Sequence, residues 1–360
     1  MSVIDVGGQV RNGEELDIAA VERWLKAQGI ALQGRAVVTQ YAGGASNWTY
    51  RIEYDNQDLI LRRPPAGTKA KSAHDMVREY TVQKALKPNY PLVPEMLALC
   101  TDQSVLGCDF YVMQRVEGII PRANLPKEIH LSPEEVTRLC TNVLDGLIDL
   151  HQVDYHGTEL ESLGKGEGYC QRQVEGWDKR YEKARTLNVP SFKLVRRWLK
   201  KHIPADSKIC VIHNDWRFDN VVLDPNDPTH VIGVLDWEMA TLGDPLMDLG
   251  SALAYWVQAD DNMILRAMRR QPTHLKGMLS RQEVVQYYLD KTGMQTSNWT
   301  FYEVFGMFRL AVIAQQIYYR YYHKQTTNPA FKNFWLVIHA LHVRCLTLIA
   351  QYQIEQFKGK

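Results

Sequence analysis

The segment from Val211 to Asp236 constrains the fold of this chain more than any other part of the sequence. Three short apolar runs, at 211–212, 221–223 and 231–235, alternate with acidic and amide residues. Short runs rich in β-branched residues predict strands, so the polar residues fall at strand ends. Asp215 lies two residues after His213, Asn220 lies five residues after Asp215, and Asp236 closes the third run.

The rest of the sequence divides into a strand-rich first third and a helix-rich remainder. Alternating and β-branched runs predict strands at 36–41, 47–54, 59–62 and 108–116, with helices at 16–28 and 73–86. Later apolar spacings predict helices at 133–150, 301–322 and 330–352. We therefore expect a small sheet-rich lobe over residues 1–115 and a larger, mainly helical lobe over 116–360.

Composition argues against several classes of protein. The chain has 42 basic and 41 acidic residues, a balance that predicts no nucleic-acid partner and no membrane association, although it leaves a local basic pocket possible. Six cysteines without a CxxC pair or zinc spacing predict reduced thiols in a cytoplasmic protein. The sequence starts without the basic and apolar regions of a signal peptide, and no 18 apolar residues run together.

The polar residues between 213 and 236 suit phosphoryl transfer from a nucleotide. This reaction needs a carboxylate that orients or deprotonates the attacking hydroxyl, and a carboxylate and an amide that hold magnesium. Protein kinases space their base and metal-binding amide as Asp215 and Asn220 are spaced here, and Asp236 lies where a second metal ligand is expected. Asp and Asn also favour turns, but the joint spacing favours catalysis.

A family resemblance rests on this pattern together with the segment 243–249, Gly-Asp-Pro-Leu-Met-Asp-Leu. The combination resembles the aminoglycoside phosphotransferase and choline kinase superfamily. The segments 43–47, 61–65, 78–80, 111–113 and 168–173 resemble one branch of it, the phosphotransferase domains related to those fused to some acyl-CoA dehydrogenases. The resemblance implies a two-lobed, protein-kinase-like α+β fold. Its small antiparallel-sheet N-terminal lobe would bind nucleotide, and its larger helical lobe would carry catalysis and substrate binding.

The resemblance also implies roles for individual residues. Asp215 is expected to be the general base or hydroxyl-orienting residue, and Asn220 and Asp236 are expected to bind Mg²⁺. ATP, or GTP, is the expected co-substrate. The expected nucleotide contacts are Gly43, Gly44, Ser46 and Asn47 in a loop over the phosphates, Arg62 as the phosphate-binding cation, Glu79 as its partner, and the backbone from Gln114 to Val116 at the adenine edge.

Departures from the protein-kinase pattern narrow the substrate. Arg62 stands where kinases carry a lysine, and the neighbouring Arg63 leaves the assignment open by one residue. The catalytic segment lacks the arginine that protein kinases use to bind activation-loop phosphate, and only seven residues separate Asp236 from Asp244. We therefore expect a small-molecule hydroxyl acceptor and no protein substrate. His213 is expected to be structural, and Asp244 and Asp248 to cap a helix or brace the catalytic segment.

The acceptor is the least constrained part of the prediction. Arg172 and Trp177 lie on one predicted helix and could contact an anionic substrate, although a simple amphipathic helix explains them as well. Trp237 and Glu238, beside Asp236, are further candidates for substrate contact. The fused dehydrogenases suggest a hydroxyacyl-CoA. The alternatives are an aminoglycoside, sugar or amino-alcohol kinase, or a catalytically silent nucleotide-binding module, against which the intact carboxylate and amide set argues.

Overall fold

The structure is a computed structural model and describes residues 4–41, 47–65 and 75–358. The chain forms two compact units, neither of which is continuous in sequence. Unit 1 comprises Met1–Ile120, Val153–Glu161 and Asn220–Ala240, and unit 2 comprises Pro121–Gln152, Ser162–Asp219 and Thr241–Lys360. Unit 1 thus contains two segments from later in the chain, Val153–Glu161 and Asn220–Ala240. A single boundary after residue 115 would assign both segments to the other lobe.

The secondary structure follows the predicted order of a strand-rich part and then a helical part. The strands are β1 (Val37–Gln40), β2 (Trp48–Glu53), β3 (Asp58–Arg63), β4 (Met96–Cys100), β5 (Phe110–Gln114), β6 (Cys210–Ile212), β7 (Val221–Leu223), β8 (Val231–Val234) and β9 (Thr241–Gly243). The helices are α1 (Ile18–Ala27), α2 (Met76–Leu86), α3 (Gln103–Leu106), α4 (Pro133–Gln152), α5 (Tyr169–Ala184), α6 (Lys193–Lys201), α7 (Pro245–Leu253), α8 (Met263–Ala267), α9 (Arg281–Thr292), α10 (Trp299–Tyr322) and α11 (Phe334–Lys358).

Unit 1 is built on a five-stranded antiparallel sheet with the strand order β1-β2-β3-β5-β4. Alternate residues of β2 and β3, such as Tyr50, Ile52 and Leu61, enter an apolar core to which α1 contributes Val21 and Leu25. Burying this apolar surface stabilises the sheet from one face. The other face buries a second apolar cluster against α2, and Arg62 lies on that face.

A hairpin of β7 and β8 attaches to the same unit. The backbones of Ile119 and Leu223 exchange hydrogen bonds of 2.9 and 2.8 Å. Gly118 permits this contact, because a Cβ at that position would lie 2.4 Å from the Leu223 carbonyl oxygen. The register pairs Val221 with Val234, so Asn220 and Asp236 lie at the same end of the hairpin.

Unit 2 is organised around the long helix α10, which packs against α5, α6, α7 and α11. Helices α7 and α10 cross at two glycines. A Cβ on Gly306 would lie 2.1 Å from the carbonyl oxygen of Gly250, and a Cβ on Gly250 would lie 2.5 Å from that of Tyr302. The crossing therefore brings the two backbones closer than any side chain allows.

One helical segment, Pro329–Lys358, is long and apolar enough to cross a membrane by length and composition alone. The stretch has a high mean hydropathy although polar residues interrupt it. In the structure it packs along α10. The side chains it buries are Val337, Ile338, Leu341, Cys345 and Ile349.

The glycine crossing predicts a large stability difference between two similar substitutions. Gly306→Ala is expected to lower the free energy of unfolding by about 3 kcal/mol, because α7 and α10 must separate. Gly176→Ala on α5 is the control, since its Cβ would meet Arg180 at 3.7 Å, an ordinary contact. That change is expected to stabilise by about 0.5–1 kcal/mol. Urea unfolding of both variants tests this, and equal effects would contradict the close crossing.

Candidate active site

The candidate residues fall in both units, and unit 1 holds the buried cation. The guanidinium of Arg62, on β3, contacts Glu79 Oε1 at 3.1 Å and Asp236 Oδ1 at 3.2 Å. Glu79, on α2, also accepts a 2.9 Å hydrogen bond from the Tyr111 hydroxyl. The structure thus brings together the predicted phosphate-binding cation, its predicted glutamate partner and one predicted metal ligand.

The electrostatics keep this cation charged. Burial alone would lower the pKa of Arg62, but Glu79, Tyr111, Asp236 and Glu238 together raise it above its ordinary value. Burial raises the pKa of Glu79, and the Arg62 charge opposes that rise. One guanidinium facing several acidic groups leaves this part of unit 1 suited to a further positive charge.

The side chain of the neighbouring Arg63 lies on the opposite face of β3 from that of Arg62. Successive residues of a strand face opposite sides of a sheet, so Arg62 and Arg63 cannot share one role. The Arg63 guanidinium lies 5.4 Å from the centre of the Trp48 ring, a cation–π arrangement. Arg62 is therefore the arginine that faces the glutamate of α2.

Asn220 and Asp236 are held at the end of the β7–β8 hairpin. The Leu235 amide donates a 2.8 Å hydrogen bond to the Asn220 carbonyl oxygen. Asp236 has a left-handed backbone with φ of 65°, which Asp tolerates better than most residues. A carboxylate and an amide oxygen at one hairpin end are the hard donors that Mg²⁺ prefers, so the residues present fit that ion.

The segment after Asp236 is fixed by α2. Arg78 donates to the carbonyl oxygen of Glu238 at 3.2 Å and to that of Ala240. The Asn47 amide lies 3.3 Å from Glu238 Oε2. Glu238 therefore contacts Asn47, one of the predicted phosphate-loop residues. The other predicted residues of that loop, Gly43, Gly44 and Ser46, lie outside the described part of the chain.

Trp237 is not placed to contact a substrate, contrary to expectation. Its side chain is fully buried, its indole N–H donates to the Val234 carbonyl at 2.9 Å, and its ring meets Tyr90 edge-on at 5.8 Å. The left-handed backbone of Asp236 turns the chain so that this side chain packs inward. Trp237 is a core residue of unit 1.

The predicted adenine contact lies where the chain leaves β5. Gln114 ends the strand, and the Arg115 amide donates to the Asp58 carbonyl at 2.9 Å. Among the residues that the structure describes, the Val116 N–H has no hydrogen-bond acceptor. Arg115 itself is buried against Asp58 and Glu117 at 2.8 and 2.9 Å, a polar cluster that sequence reasoning missed.

In unit 2 the segment around Asp215 is fixed through its backbone. Asp248, on α7, accepts hydrogen bonds from the amides of His213 and Asn214, both at 2.9 Å. Arg309, on α10, donates to the Asn214 carbonyl at 2.7 Å. Asn214 has a φ of 68°, a left-handed conformation that Asn adopts more readily than most residues.

Asp248 is in turn oriented by a buried histidine. His151 Nε2, at the end of α4, lies 3.1 Å from Asp248 Oδ2, and its Nδ1 lies 2.7 Å from the Tyr288 hydroxyl. Because a carboxylate only accepts, Nε2 donates to Asp248, and in the neutral imidazole Nδ1 is then the acceptor for the Tyr288 hydroxyl. These donors outweigh burial and hold the pKa of Asp248 below its ordinary value. Asp248 therefore braces the segment, as expected.

Asp244 has a different role. Its carboxylate accepts hydrogen bonds from the amides of Leu246 and Met247 at 2.8 and 3.0 Å, which caps the N-terminus of α7. It also accepts from the Ser207 hydroxyl at 2.6 Å. The helix-capping interpretation of Asp244 is therefore confirmed.

A second arginine that sequence reasoning missed stands beside Asp215. Arg217 Nη2 lies 3.3 Å from Asp215 Oδ2, and Arg217 Nε lies 3.3 Å from Asp219 Oδ1. The guanidinium lies 5.1 Å from the centre of the Tyr255 ring. The sequence did contain one indication of this contact, because Arg217 follows the expected base Asp215 by only two residues.

The two α5 candidates have separate environments. Arg172 donates to the carbonyl oxygens of Gly166, at 2.6 Å, and Glu167, so it holds the loop before the helix. Trp177 is buried, and the guanidinium groups of Arg180 and Arg309 lie 4.5 and 5.3 Å from its ring centre. Trp177 thus packs against Arg309, which holds the Asn214 carbonyl. The geometry favours a structural role for Arg172.

Comparison with known proteins identifies the class to which this fold and these residues belong. A family model described as "Phosphotransferase enzyme family" matches residues 37–283. The chain belongs to this family, and the predicted α+β kinase-like fold is confirmed.

Particular relatives agree with the predicted branch. Mouse acyl-CoA dehydrogenase family member 10 is 36% identical over 304 residues, which cover 84% of this chain but 28% of that protein. A crystal structure of a putative aminoglycoside phosphotransferase from Ralstonia eutropha has 28% identity and a TM-score of 0.79, covering 94% and 99% of the two chains. Choline kinase from Cryptosporidium parvum shares the fold, at 12% identity, a TM-score of 0.61 and coverage of 94% and 97%. The chain spans well under half the length of the curated dehydrogenase relatives.

The buried charge of Asp248 predicts a pH-dependent stability loss. Asp248→Asn is expected to lower the free energy of unfolding by about 3 kcal/mol at pH 7, because a charge that accepts several hydrogen bonds is removed. Since the folded pKa lies below the unfolded value of about 3.9, this contribution is present above that pH and is lost as pH falls through the folded pKa. Urea unfolding of wild type and variant at pH 7 and near pH 3.5 measures it.

Asp149→Asn, on the same helix as His151, is the control. Burial and the nearby Asp145 raise the pKa of Asp149, so its ionisation disfavours folding and the neutral variant should be no less stable at pH 7. A loss for Asp248→Asn that stayed constant between the two pH values would contradict the role of its charge.

Proposed function

We propose that this protein transfers the γ-phosphoryl group of ATP, or GTP, to a hydroxyl group of a small metabolite. The observation that carries the proposal is the contact of one buried guanidinium, that of Arg62, with both Glu79 and Asp236. A cation fixed by a helix glutamate and adjacent to a metal-binding carboxylate is the arrangement that phosphoryl transfer uses to neutralise phosphate oxygens. Membership of the phosphotransferase family supports it.

The nucleotide is assigned to unit 1. Arg62 binds phosphate oxygens, and Glu79 keeps its guanidinium in place. Asn220 and Asp236 hold Mg²⁺, which supplies positive charge to the phosphates when bound. The N–H of Val116, which has no acceptor among the described residues, meets the adenine edge together with the Gln114 backbone. Gly43, Gly44, Ser46 and Asn47 are proposed to cover the phosphates, as the family resemblance implies.

Asp215 is proposed to act on the acceptor hydroxyl. The acceptor oxygen forms a bond to the γ-phosphorus as the bond from phosphorus to the β–γ bridging oxygen breaks, and the hydroxyl proton passes to the carboxylate. The backbone bonds from His213 and Asn214 to Asp248 hold this carboxylate in position. Such catalysis is mainly positioning and electrostatic stabilisation.

The proposed acceptor is a hydroxyacyl-CoA. Similarity to acyl-CoA dehydrogenase family members supports it, since a phosphorylated hydroxyl is a better leaving group than a free one. Charge adds support, because Arg217 already engages the carboxylates of Asp215 and Asp219 within unit 2, whereas a polycationic amino sugar would need carboxylates that are not matched by an arginine. An amino sugar, sugar or amino alcohol is the alternative, favoured by the structural similarity to aminoglycoside phosphotransferases.

The central prediction separates catalysis from nucleotide binding. Asp215→Asn is expected to lower turnover about a thousandfold, because the proton acceptor is lost. Affinity for Mg-ATP should change by less than about twofold, since the substitution removes no proposed nucleotide contact. Transfer of labelled phosphate and calorimetric titration measure the two quantities. Asp149→Asn is the control, and normal turnover by Asp215→Asn would refute the assigned role.

The same assay identifies the acceptor. The panel contains a hydroxyacyl-CoA, the matching free hydroxy acid, choline and an amino sugar, each with labelled ATP. Transfer to the CoA ester supports the proposed acceptor, and transfer to the amino sugar alone contradicts it. Binding of Mg-ATP without its consumption in the presence of any compound would favour the catalytically silent nucleotide-binding module.

A pair of arginine variants tests the nucleotide assignment. Arg62→Met is expected to weaken Mg-ATP binding at least about tenfold, because a charge-assisted phosphate contact is lost. Arg62→Lys should retain part of the affinity, which separates loss of charge from loss of fold. Arg63→Met, on the opposite face of β3, should bind normally, and a stronger effect at Arg63 than at Arg62 would reverse the assignment.

A further inference from the structure

The charge of this chain is concentrated in one short stretch of unit 2. Residues 185–202 contain six basic and no acidic side chains, so the remainder has 36 basic and 41 acidic residues. The six cations are Arg185, Lys193, Arg196, Arg197, Lys200 and Lys201. The near-neutral total therefore conceals a basic stretch on a slightly acidic protein.

Only part of this charge is neutralised locally. Arg196 pairs with Asp178 and Glu182, and Lys200 lies 2.7 Å from Asp178. For the other four cations, Arg185, Lys193, Arg197 and Lys201, the described residues provide no ion-pair partner. These four side chains are exposed.

Five of the six cations, all except Lys201, line a cavity of about 460 Å³ formed by α5, α6 and the loop between them. Arg185 and Ser191 contribute from the loop, and Lys193 and Arg197 contribute from the helix. A concave surface lined with guanidinium, ammonium and hydroxyl donors suits a phosphate-bearing group. The acidic lining residues are Asp178 and Glu182, which the cations Arg196 and Lys200 already engage.

Two leucines next to the cavity-lining residues point into solvent. Leu187, two residues after Arg185, is 94% exposed, and Leu194, beside Lys193, is 62% exposed. Leu194 lies at the edge of the buried side of α6, one turn before Trp198, and is not among the residues that the helix buries, Val195, Trp198 and Leu199. Neither leucine contributes to the core of unit 2.

The exposure of Leu187 does not come from a loose loop. The Asn188 amide donates to the Tyr318 hydroxyl at 2.8 Å, and Gln315 donates to the Ala184 carbonyl at 2.7 Å. Phe192 is fully buried against the rings of Tyr181 and His342. The loop is therefore anchored on both sides of Leu187 and still presents that leucine to water.

We propose that this surface, comprising Arg185, Leu187, Lys193, Leu194, Arg197 and Lys201, docks on an anionic phospholipid bilayer. A phosphate-bearing headgroup enters the cavity, the remaining cations face the negative bilayer surface, and the two leucines enter the headgroup boundary. Charge complementarity and adjacent exposed leucines are what an interfacial membrane contact requires. An acidic peptide would use the cations but leaves the leucines without a role. The inference does not depend on the proposed kinase activity.

The test measures binding of the full chain to sedimented vesicles. Vesicles of phosphatidylcholine with about 30% phosphatidylserine are compared with pure phosphatidylcholine, in about 0.1 M salt. Wild type is expected to bind the anionic vesicles only, and binding should fall as salt is raised. Lys193→Glu with Arg197→Glu is expected to lower the partition coefficient about thirtyfold or more, because each cation contributes about fivefold.

Two further double variants separate the effect of net charge from the effect of where the cations lie, and both from the effect of inserting the leucines into the bilayer. Arg23→Glu with Lys26→Glu, on the exposed side of α1, makes the same change in net charge and should bind as wild type. Leu187→Ser with Leu194→Ser keeps all charges and should weaken binding at least about tenfold. Unfolding curves and Mg-ATP affinity should be unchanged in all three, since these side chains are exposed and outside the proposed catalytic residues.

Several outcomes would overturn the proposal. Equal binding to neutral and anionic vesicles, equal losses in the α1 and α6 charge variants, or no effect of the leucine pair would each do so. A binding assay with inorganic phosphate, soluble glycerophosphoserine and poly-glutamate completes the comparison. Saturable binding of any of them without vesicle binding would assign the surface to a soluble anion or an acidic partner instead.

Discussion

Unit 2 depends on one buried carboxylate. Asp248 is excluded from solvent, which would normally favour its neutral form, yet the amides of His213 and Asn214 and the ring of His151 all face it. The bonds are charge-assisted and share one acceptor, so a single side chain of α7 holds both the segment around Asp215 and the end of α4. The hydrogen bonds of the Asn214 amide to Asp248 and of its carbonyl to Arg309 stabilise the left-handed backbone of this residue.

In unit 1 the shape of the Arg62 side chain determines which groups it holds together. A lysine has one compact ammonium group, whereas the fork of Arg62 reaches Glu79 with one nitrogen and Asp236 with another. The substitution thus ties the sheet, α2 and the hairpin end together before any phosphate arrives. If nucleotide binds as proposed, its phosphates compete with Asp236 for part of this guanidinium.

Sequence patterns predicted those features that depend on neighbours along the chain. The alternation at 47–54 corresponds to β2, the spacing over 133–150 to α4, and the Asp215, Asn220 and Asp236 pattern to family membership. The support of the site was not predictable in this way. His151 meets Asp248 across 97 residues and Tyr288 across 137, and no local period encodes such pairs. The burial of Trp237 and the contact of Arg172 with the loop before α5 were likewise not encoded in the local sequence pattern.

The interleaving of the two units has a consequence for the protein during its synthesis. The contact between Arg62 and Asp236 spans 174 residues, so the sheet exists as a polypeptide long before its last partners leave the ribosome. At about 5–20 residues per second, that delay is on the order of ten to thirty seconds. During this interval Arg62 can pair with Glu79, but Asp236 at the end of the β7–β8 hairpin has not yet been synthesised. The N-terminal sheet therefore emerges as an incomplete unit, and Arg62 gains its second carboxylate partner only after much of the helical part has been made.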